Sequence, residues 1–193
     1  MKTSRVNFLY KILISSYSLS TFSEGVILPV YAIFVQKIGG DILNAGQAMG
    51  VFLITQGLFT IFIHKFKWTS KQKMFFMVMG WFIWILGIAS YLIISNIYML
   101  FITQILTAIG NAIADPIFEE ELAHHTDTKR EEFEWGIFEG SKDLVSGLAA
   151  IAGGIILSAY NFSALIYLMI GTATISFFMI LYYVSLNKKW SYK

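Results

Sequence analysis

The sequence predicts an all-α, polytopic membrane protein of six transmembrane helices. Three observations carry that expectation. The 193 residues are 56% hydrophobic and only 13% charged, with a mean hydropathy of +0.66, whereas a soluble domain carries about a quarter charged residues. The charges are bunched, so that 12–23, 25–36, 42–63, 74–114 and 144–187 are uncharged runs. None of these runs shows the period-2 alternation over ~10-residue segments that a membrane barrel requires. Lipid offers no hydrogen bonds to a bare backbone, which leaves helices.

A bilayer core of about 30 Å takes about 20 mostly apolar residues per helix, and turn residues divide the long runs accordingly. The first span covers roughly 10–36, followed by spans at about 44–64 and 74–94. Ser95-Asn96 separates the third span from a fourth at about 97–117. The polar stretch 119–134 reads as a cytoplasmic loop. A fifth span covers about 138–159, and the turn Tyr160-Asn161-Phe162-Ser163 leads to a sixth at about 164–186. The whole chain, 1–193, is one transmembrane domain.

Basic residues set the expected orientation. Lys2, Arg5 and Lys11 precede the first span, and Lys65, Lys67, Lys71 and Lys73 join the second to the third. Lys129, Arg130 and Lys142 lie around the fourth loop, and Lys188, Lys189 and Lys193 end the chain. Thirteen of the fourteen Lys and Arg thus fall on one side, with Lys37 alone on the other. Positive residues stay in the cytoplasm, so both termini are expected inside a cell (inner or plasma) membrane. Trp68, Trp81, Tyr98, Tyr160 and Trp190 fall at span ends, where an aromatic belt sits.

Several function classes are excluded or weakened. The formal charge of +2 reflects the loop bias, and no basic patch interleaved with aromatics suggests nucleic acid. Absence of cysteine removes thiol catalysis, thiolate metal sites and disulfides. The stretch "EEELAHH" has Glu121 and His124 at a helical metal spacing, but no second copy completes a shell, and it reads as a solvated face. Ser146-Gly147 has no assignable base, and no phosphate-binding loop occurs. The expectation is a protein that is not an enzyme and takes no cofactor or metal.

Polar residues are distributed unevenly among the spans. The first holds Tyr17, Thr21, Glu24 and Tyr31 at spacings of four, three and seven, hence on one helical face. The fourth holds Gln104, Thr107, Asn111 and Asp115 in a strip under about 90° wide. Gln104 and Thr107 read equally as hydrogen bonds that hold the bundle together. The third and sixth spans are almost wholly apolar. Glu139 and Asp143, with Lys142 beside them, read as an interfacial charge cluster or as gating charges. Glu24 stands out, because a charge at a helix centre costs roughly 2.5–3.5 kcal/mol. A carboxyl there reads either as a functional group or as a neutral, hydrogen-bonded acid, since desolvation disfavours its charged form.

The chain resembles the N-terminal half of a major facilitator superfamily transporter. "GVILPVYAIFV" looks like that family's first helix, where a Pro followed by an aromatic is common. "HKFKWTSKQKM" lies where the family has its glycine–aspartate–basic signature; the basic residues persist, while the Gly and Asp do not. "ITQILTAIGNAIADP" is similar to the fourth helix, with Gln104 near where many members carry Arg. "GSKDLVSGLAAIAGGIIL" resembles the glycine-rich antiporter helix, with Gly153-Gly154 kept and Ala149-Ala150 in place of Gly-Pro.

The resemblance implies a six-helix half built as a 3+3 inverted repeat, with solute bound near the midplane. It implies that helices one and four line the cavity, two and five flank it, and three and six pack outside. The expected function is secondary transport of a small solute, proton-coupled through Glu24, with Tyr17, Thr21, Gln104, Asn111 and Asp115 as cavity residues. Because a complete facilitator has two halves, the expected partners are membrane lipids and either a second copy in a homodimer or a separate second half. A non-transporting scaffold or accessory subunit, or a fragment of a transporter, stands as the alternative.

Overall fold

A computed structural model describes residues 2–127 and 129–188, with side chains for 8–127 and 129–187. Lys189, Trp190 and Lys193 lie outside the described residues, as do the side chains of Lys2, Arg5 and Lys188. The described chain is helical throughout: α1 (Lys2–Gly25), a 3-10 turn (Leu28–Val30), α2 (Tyr31–Lys37), α3 (Ile42–Ile63), α4 (Ser70–Ser90), α5 (Ile97–His125), α6 (Glu131–Ala159) and α7 (Phe162–Lys188). Six of its helical stretches are long and apolar enough to cross a membrane, α1 and α2 together forming the first.

Local chemistry fixes the helix starts. Asp41 accepts the Asn44 N–H at 2.8 Å while Asn44 accepts the Asp41 N–H at 3.0 Å, a reciprocal cap on α3. Thr69 and Gln72 form the same arrangement on α4. Asn96 caps α5 through the Met99 N–H, and Asn161 caps α7 through the Ala164 N–H. All four caps fall in the connections between the expected spans.

Two elements differ from the sequence expectation. The first span is not one helix: it breaks after Gly25 and re-forms through a 3-10 turn that contains Pro29. Proline has no N–H to donate back, and its ring clashes with the preceding turn of an α-helix. The polar stretch 119–134 is not a loop either. α5 continues to His125 and α6 begins at Glu131, leaving a short connection.

Lys73 bonds Glu120, Tyr10 Oη donates to the Glu134 carbonyl at 2.6 Å, and Asn187 donates to Glu121 at 3.2 Å. These contacts gather the start of α1, the α3–α4 and α5–α6 connections and the end of α7 at one end of the bundle. At the opposite end Phe34 packs on Tyr91 and Phe162.

"EEELAHH" is only in part a solvated face: Glu119, Ala123 and His124 are exposed, whereas other members of the stretch have partners. Tyr183 Oη donates to Glu121 at 2.5 Å, and His125 Nε2 lies 2.8 Å from the same hydroxyl. Glu120 is held by Lys73, with His124 at 3.7 Å. A polar network thus ties α4, α5 and α7 together at this end.

Small residues let the helices approach closely, as in other membrane bundles. A Cβ on Gly80 would meet the Gly110 carbonyl at 2.8 Å, and one on Gly110 would meet the Trp84 nitrogen at 2.6 Å. α4 and α5 therefore touch backbone to backbone. Gly153 on α6 faces the break in the first span, where its Cβ would stand 1.9 Å from the Val26 carbonyl oxygen. Burial is uneven: only 6% of the most apolar stretch of α3 and 11% of that of α6 is buried, against 50% for the first span and 44% for α5.

Candidate functional site

Glu24 sits at the end of α1, one residue before the helix breaks. Trp84 of α4 donates its indole Nε1–H to Glu24 Oε1 at 2.6 Å, and Asn111 of α5 donates to the same oxygen at 3.1 Å. Both donors converge on one oxygen. Oε2 has no hydrogen-bond partner among the described residues. An acceptor with two donors is well satisfied, so Oε2 is the atom left for a proton, a water or a cation.

Two cavities meet at this carboxyl. A small one, about 40 Å³, is lined by Tyr17, Ser20, Thr21 and Glu24 of α1, Trp81 and Trp84 of α4, and Asn111, Ala114 and Asp115 of α5. That volume admits a water. A larger one, about 130 Å³, lies beyond Glu24 and is lined by Tyr31, Tyr91, Gln104, Thr107 and a group of apolar side chains that includes Met49, Phe52 and Met169. The two linings contain Glu24 and Asp115 and no Lys, Arg or His.

The structure brings together five of the six cavity residues expected from the sequence around the smaller cavity. Tyr17 stacks on Phe118 with ring centroids 4.8 Å apart. Asp115 accepts from Gln56 of α3 at 3.3 Å, so a second carboxylate is held on the same cavity wall. Gln104 stands apart in the larger cavity, where it donates to Tyr31 Oη at 2.5 Å and to Tyr91 Oη at 3.3 Å.

Thr107 does what a packing residue does. Its hydroxyl bonds the Thr103 and Gln104 carbonyls of its own helix, and its methyl group fills the space beside Gly87.

Glu139 and Asp143 lie outside both cavities, toward the end of the bundle that holds Tyr10 and Glu134, whereas Lys142 reaches the edge of the smaller one, its Nζ 5.9 Å from the centre of the Tyr17 ring. Lys142 pairs with Glu139 at 3.0 Å and reaches over the Phe138 ring at 5.2 Å, while Asp143 is exposed and outside both cavities. Lys142 thus bonds Glu139 and not Asp143.

Sequence reasoning missed Trp84, Trp81, Gln56 and Tyr91. The expectation that the third span packs outside is corrected, since α4 forms one wall of the smaller cavity with Trp81 and Trp84. Trp81 is likewise not a belt residue: it is 3% exposed and donates to Ser176 Oγ at 3.2 Å. Tyr98 and Tyr160, by contrast, are exposed at helix ends. A signal was present in the sequence. Buried indole N–H groups need acceptors, and an apolar span containing two tryptophans has to find them on neighbouring helices.

The fold and site define a multi-pass membrane protein with a carboxylate in a cavity between its helices. A profile of the Major Facilitator Superfamily matches residues 13–192, and the chain belongs to that superfamily. It is 27% identical over 137 residues to an uncharacterized MFS-type transporter of Methanocaldococcus jannaschii, an alignment that covers 71% of this chain and 35% of that relative. The chain spans about a third of the length of the curated relative it matches.

Proposed function

We propose that this six-helix unit forms one half of a secondary transporter for a small solute, with Glu24 as the group that takes up the proton or a cationic part of the solute. The observation that carries this reading is the open Oε2 of Glu24 where two cavities meet, with both neighbouring donors committed to Oε1. A carboxylate-bearing lining without basic side chains favours cations and protons over anions by elementary electrostatics. Asp115, on the same small cavity, is the group proposed to pass a proton on toward the end of the bundle that holds Lys73 and Glu120. Purified protein reconstituted into vesicles with an imposed proton gradient and a panel of small cations, neutral solutes and anions tests it. Proton-driven accumulation of a cation or neutral solute supports the reading. Uptake confined to anions contradicts it.

The scaffold alternative expects Glu24 tied to a neighbour in a closed bundle. One oxygen is tied, but the open second oxygen and the adjoining cavities favour transport.

The basic residues support an orientation with both termini in the cytoplasm of a cell membrane. Single cysteines at Asn44, Asn96 and Asn161 are expected to react with an impermeant thiol reagent in intact cells, and one at Ser70 is not. The lack of native cysteine keeps this assay free of background. Labelling at Ser70 in sealed cells reverses the orientation.

Pairing with a second copy, or with a separate second half, is supported by the uncovered faces of α3 and α6. The two halves of a facilitator are related by an axis along the membrane normal, which a two-fold dimer reproduces. Thr107, buried within its own bundle, is not a residue through which copies meet. Cysteines at exposed Leu53 of α3 and Ile151 of α6 are expected to crosslink between copies in native membranes. A single-copy mass in nanodiscs together with no crosslink at either position removes the homodimer.

A further inference from the structure

A third cavity is larger than either of the two at Glu24. It has a volume of about 310 Å³ and lies at the α3–α4 connection, walled by His64, Phe66, Lys67, Trp68, Lys73, Ile63 and, from α5, Pro116, Ile117 and Glu120. That volume is at the lower end of pockets that hold small organic ligands.

Three of its side chains can carry positive charge and one is acidic. The acid is already occupied: Glu120 is bonded by Lys73 through both carboxylate oxygens, one of them at 2.7 Å, with His124 at 3.7 Å behind it. Lys67 has no carboxylate within salt-bridge distance among the described residues. His64 donates Nδ1–H to the Thr60 carbonyl at 2.9 Å, which leaves its Nε2 unassigned. Lys65 and Lys71 flank the same connection.

A second observation points the same way. Trp68 lines this cavity, and its indole Nε1–H is buried without any hydrogen-bond partner. It is the one such buried side-chain atom among the described residues. Buried donors in native proteins are almost always satisfied by protein, ordered water or a ligand, so this orphan leaves room for one of the latter two. Around it runs a ladder of rings, Phe62–Phe66–Trp68–Phe76, with centroids 5.3, 5.6 and 4.3 Å apart. Phe62 and Phe66 are exposed at the edge of a bundle whose neighbouring α3 surface is apolar.

We propose that this pocket holds the phosphate group of an anionic phospholipid, with Lys67 and the Trp68 indole N–H as its ligands and the Phe62–Phe66 edge against the lipid's glycerol and acyl chains. A phosphodiester supplies acceptor oxygens for both donors and a charge for the unpaired lysine, and its chains extend the apolar surface of α3. Basic pockets between membrane helices take lipid headgroups by this chemistry. The occupied Glu120 leaves no free acid to attract the ammonium of a zwitterionic headgroup, so the net preference is for the anionic lipid.

The test uses the purified chain in detergent, titrated with phosphatidylglycerol or phosphatidylcholine of identical acyl chains, with adducts counted by native mass spectrometry. Both lipids offer the same phosphodiester, so the preference comes from the choline ammonium, which the cationic lining repels, and the first phosphatidylglycerol is expected to bind about tenfold tighter than phosphatidylcholine. Lys67→Gln removes a charge that repels choline and reduces that preference severalfold. Trp68→Phe removes a donor to the shared phosphate and weakens both lipids severalfold, and Lys71→Gln, which does not line the cavity, leaves affinity and preference within about twofold. Trp68→Phe keeps the ring ladder, and Lys67 is exposed, so both variants are expected to fold. Equal binding of the two lipids overturns the proposal. So does a phosphatidylglycerol affinity left unchanged in both Lys67→Gln and Trp68→Phe. If glycerol phosphate alone binds as tightly as phosphatidylglycerol, the pocket takes a soluble anion and the lipid assignment is wrong.

Discussion

Glu24→Gln is expected to lower proton-driven uptake by roughly 10- to 100-fold, the effect of losing one charge-assisted interaction of about 1.5–3 kcal/mol, while the bundle still folds. The substitution is nearly isosteric. The amide oxygen of Gln can take the place of Oε1 and accept from Trp84 and Asn111 as the carboxylate does. Its NH₂ then occupies the position of Oε2, where a proton or cation can no longer bind. Glu24→Asp keeps the charge on a shorter stem and retains part of the activity with an altered pH profile.

A readout independent of solute comes from the indole that touches the carboxyl. Emission from Trp84 is expected to change with pH in the native protein and to be pH-independent in Glu24→Gln. Trp84→Phe removes one donor and shifts the pH profile of uptake without erasing it. Unimpaired proton-driven uptake by Glu24→Leu would sink the assignment. A Glu24→Gln chain that fails to fold would make the residue structural.

Two adjacent glycines on α6 are expected to respond to alanine with opposite signs. At Gly154 an added Cβ meets open space, so Gly154→Ala removes backbone freedom from the unfolded chain and stabilises by about 0.5–1 kcal/mol. At Gly153 the same methyl group stands 1.9 Å from the Val26 carbonyl oxygen. Backbone cannot swing aside as a flexible side chain can, so α6 has to leave the break in the first span. Overpacking of this kind costs about 3 kcal/mol or more. Gly110→Ala is expected to behave like Gly153→Ala, because its Cβ would meet the Trp84 nitrogen at 2.6 Å and push α4 away from α5.

That displacement carries Trp84 away from Glu24, so Gly110→Ala is also expected to disturb the pH response of the indole. Unfolding midpoints measured in a mild detergent decide the matter. Equal shifts for Gly153→Ala and Gly154→Ala would show that the close approach of α6 to Val26 does not exist.

The number of helices was readable because lipid imposes one demand on every span. Backbone polar groups must be satisfied within the segment and the side chains must be apolar over about 20 residues. That constraint is local, so the uncharged runs revealed it, and Asn96 and Asn161 marked the helix starts. The break at Pro29 was equally local and still missed, since hydropathy averages over a window and does not register a missing N–H. The extension of α5 to His125 was missed for a different reason. Glu120, Glu121 and His125 look like solvent-facing polarity until Lys73 and Tyr183, distant in sequence, supply their partners.

By itself, then, the sequence determined the class of protein, the six apolar spans and the residue most out of place in them, because each follows from transfer of single side chains and short segments into lipid. The tertiary structure alone decided what surrounds that residue. It chose Trp84 and Asn111 as the donors on Oε1, left Oε2 open, separated Gln104 from the cavity of Asp115 and set Thr107 to packing. Those choices depend on how closely α4 approaches α5. Gly80 and Gly110 set that distance by having no side chain, a property that acquires meaning only when the two helices are brought together.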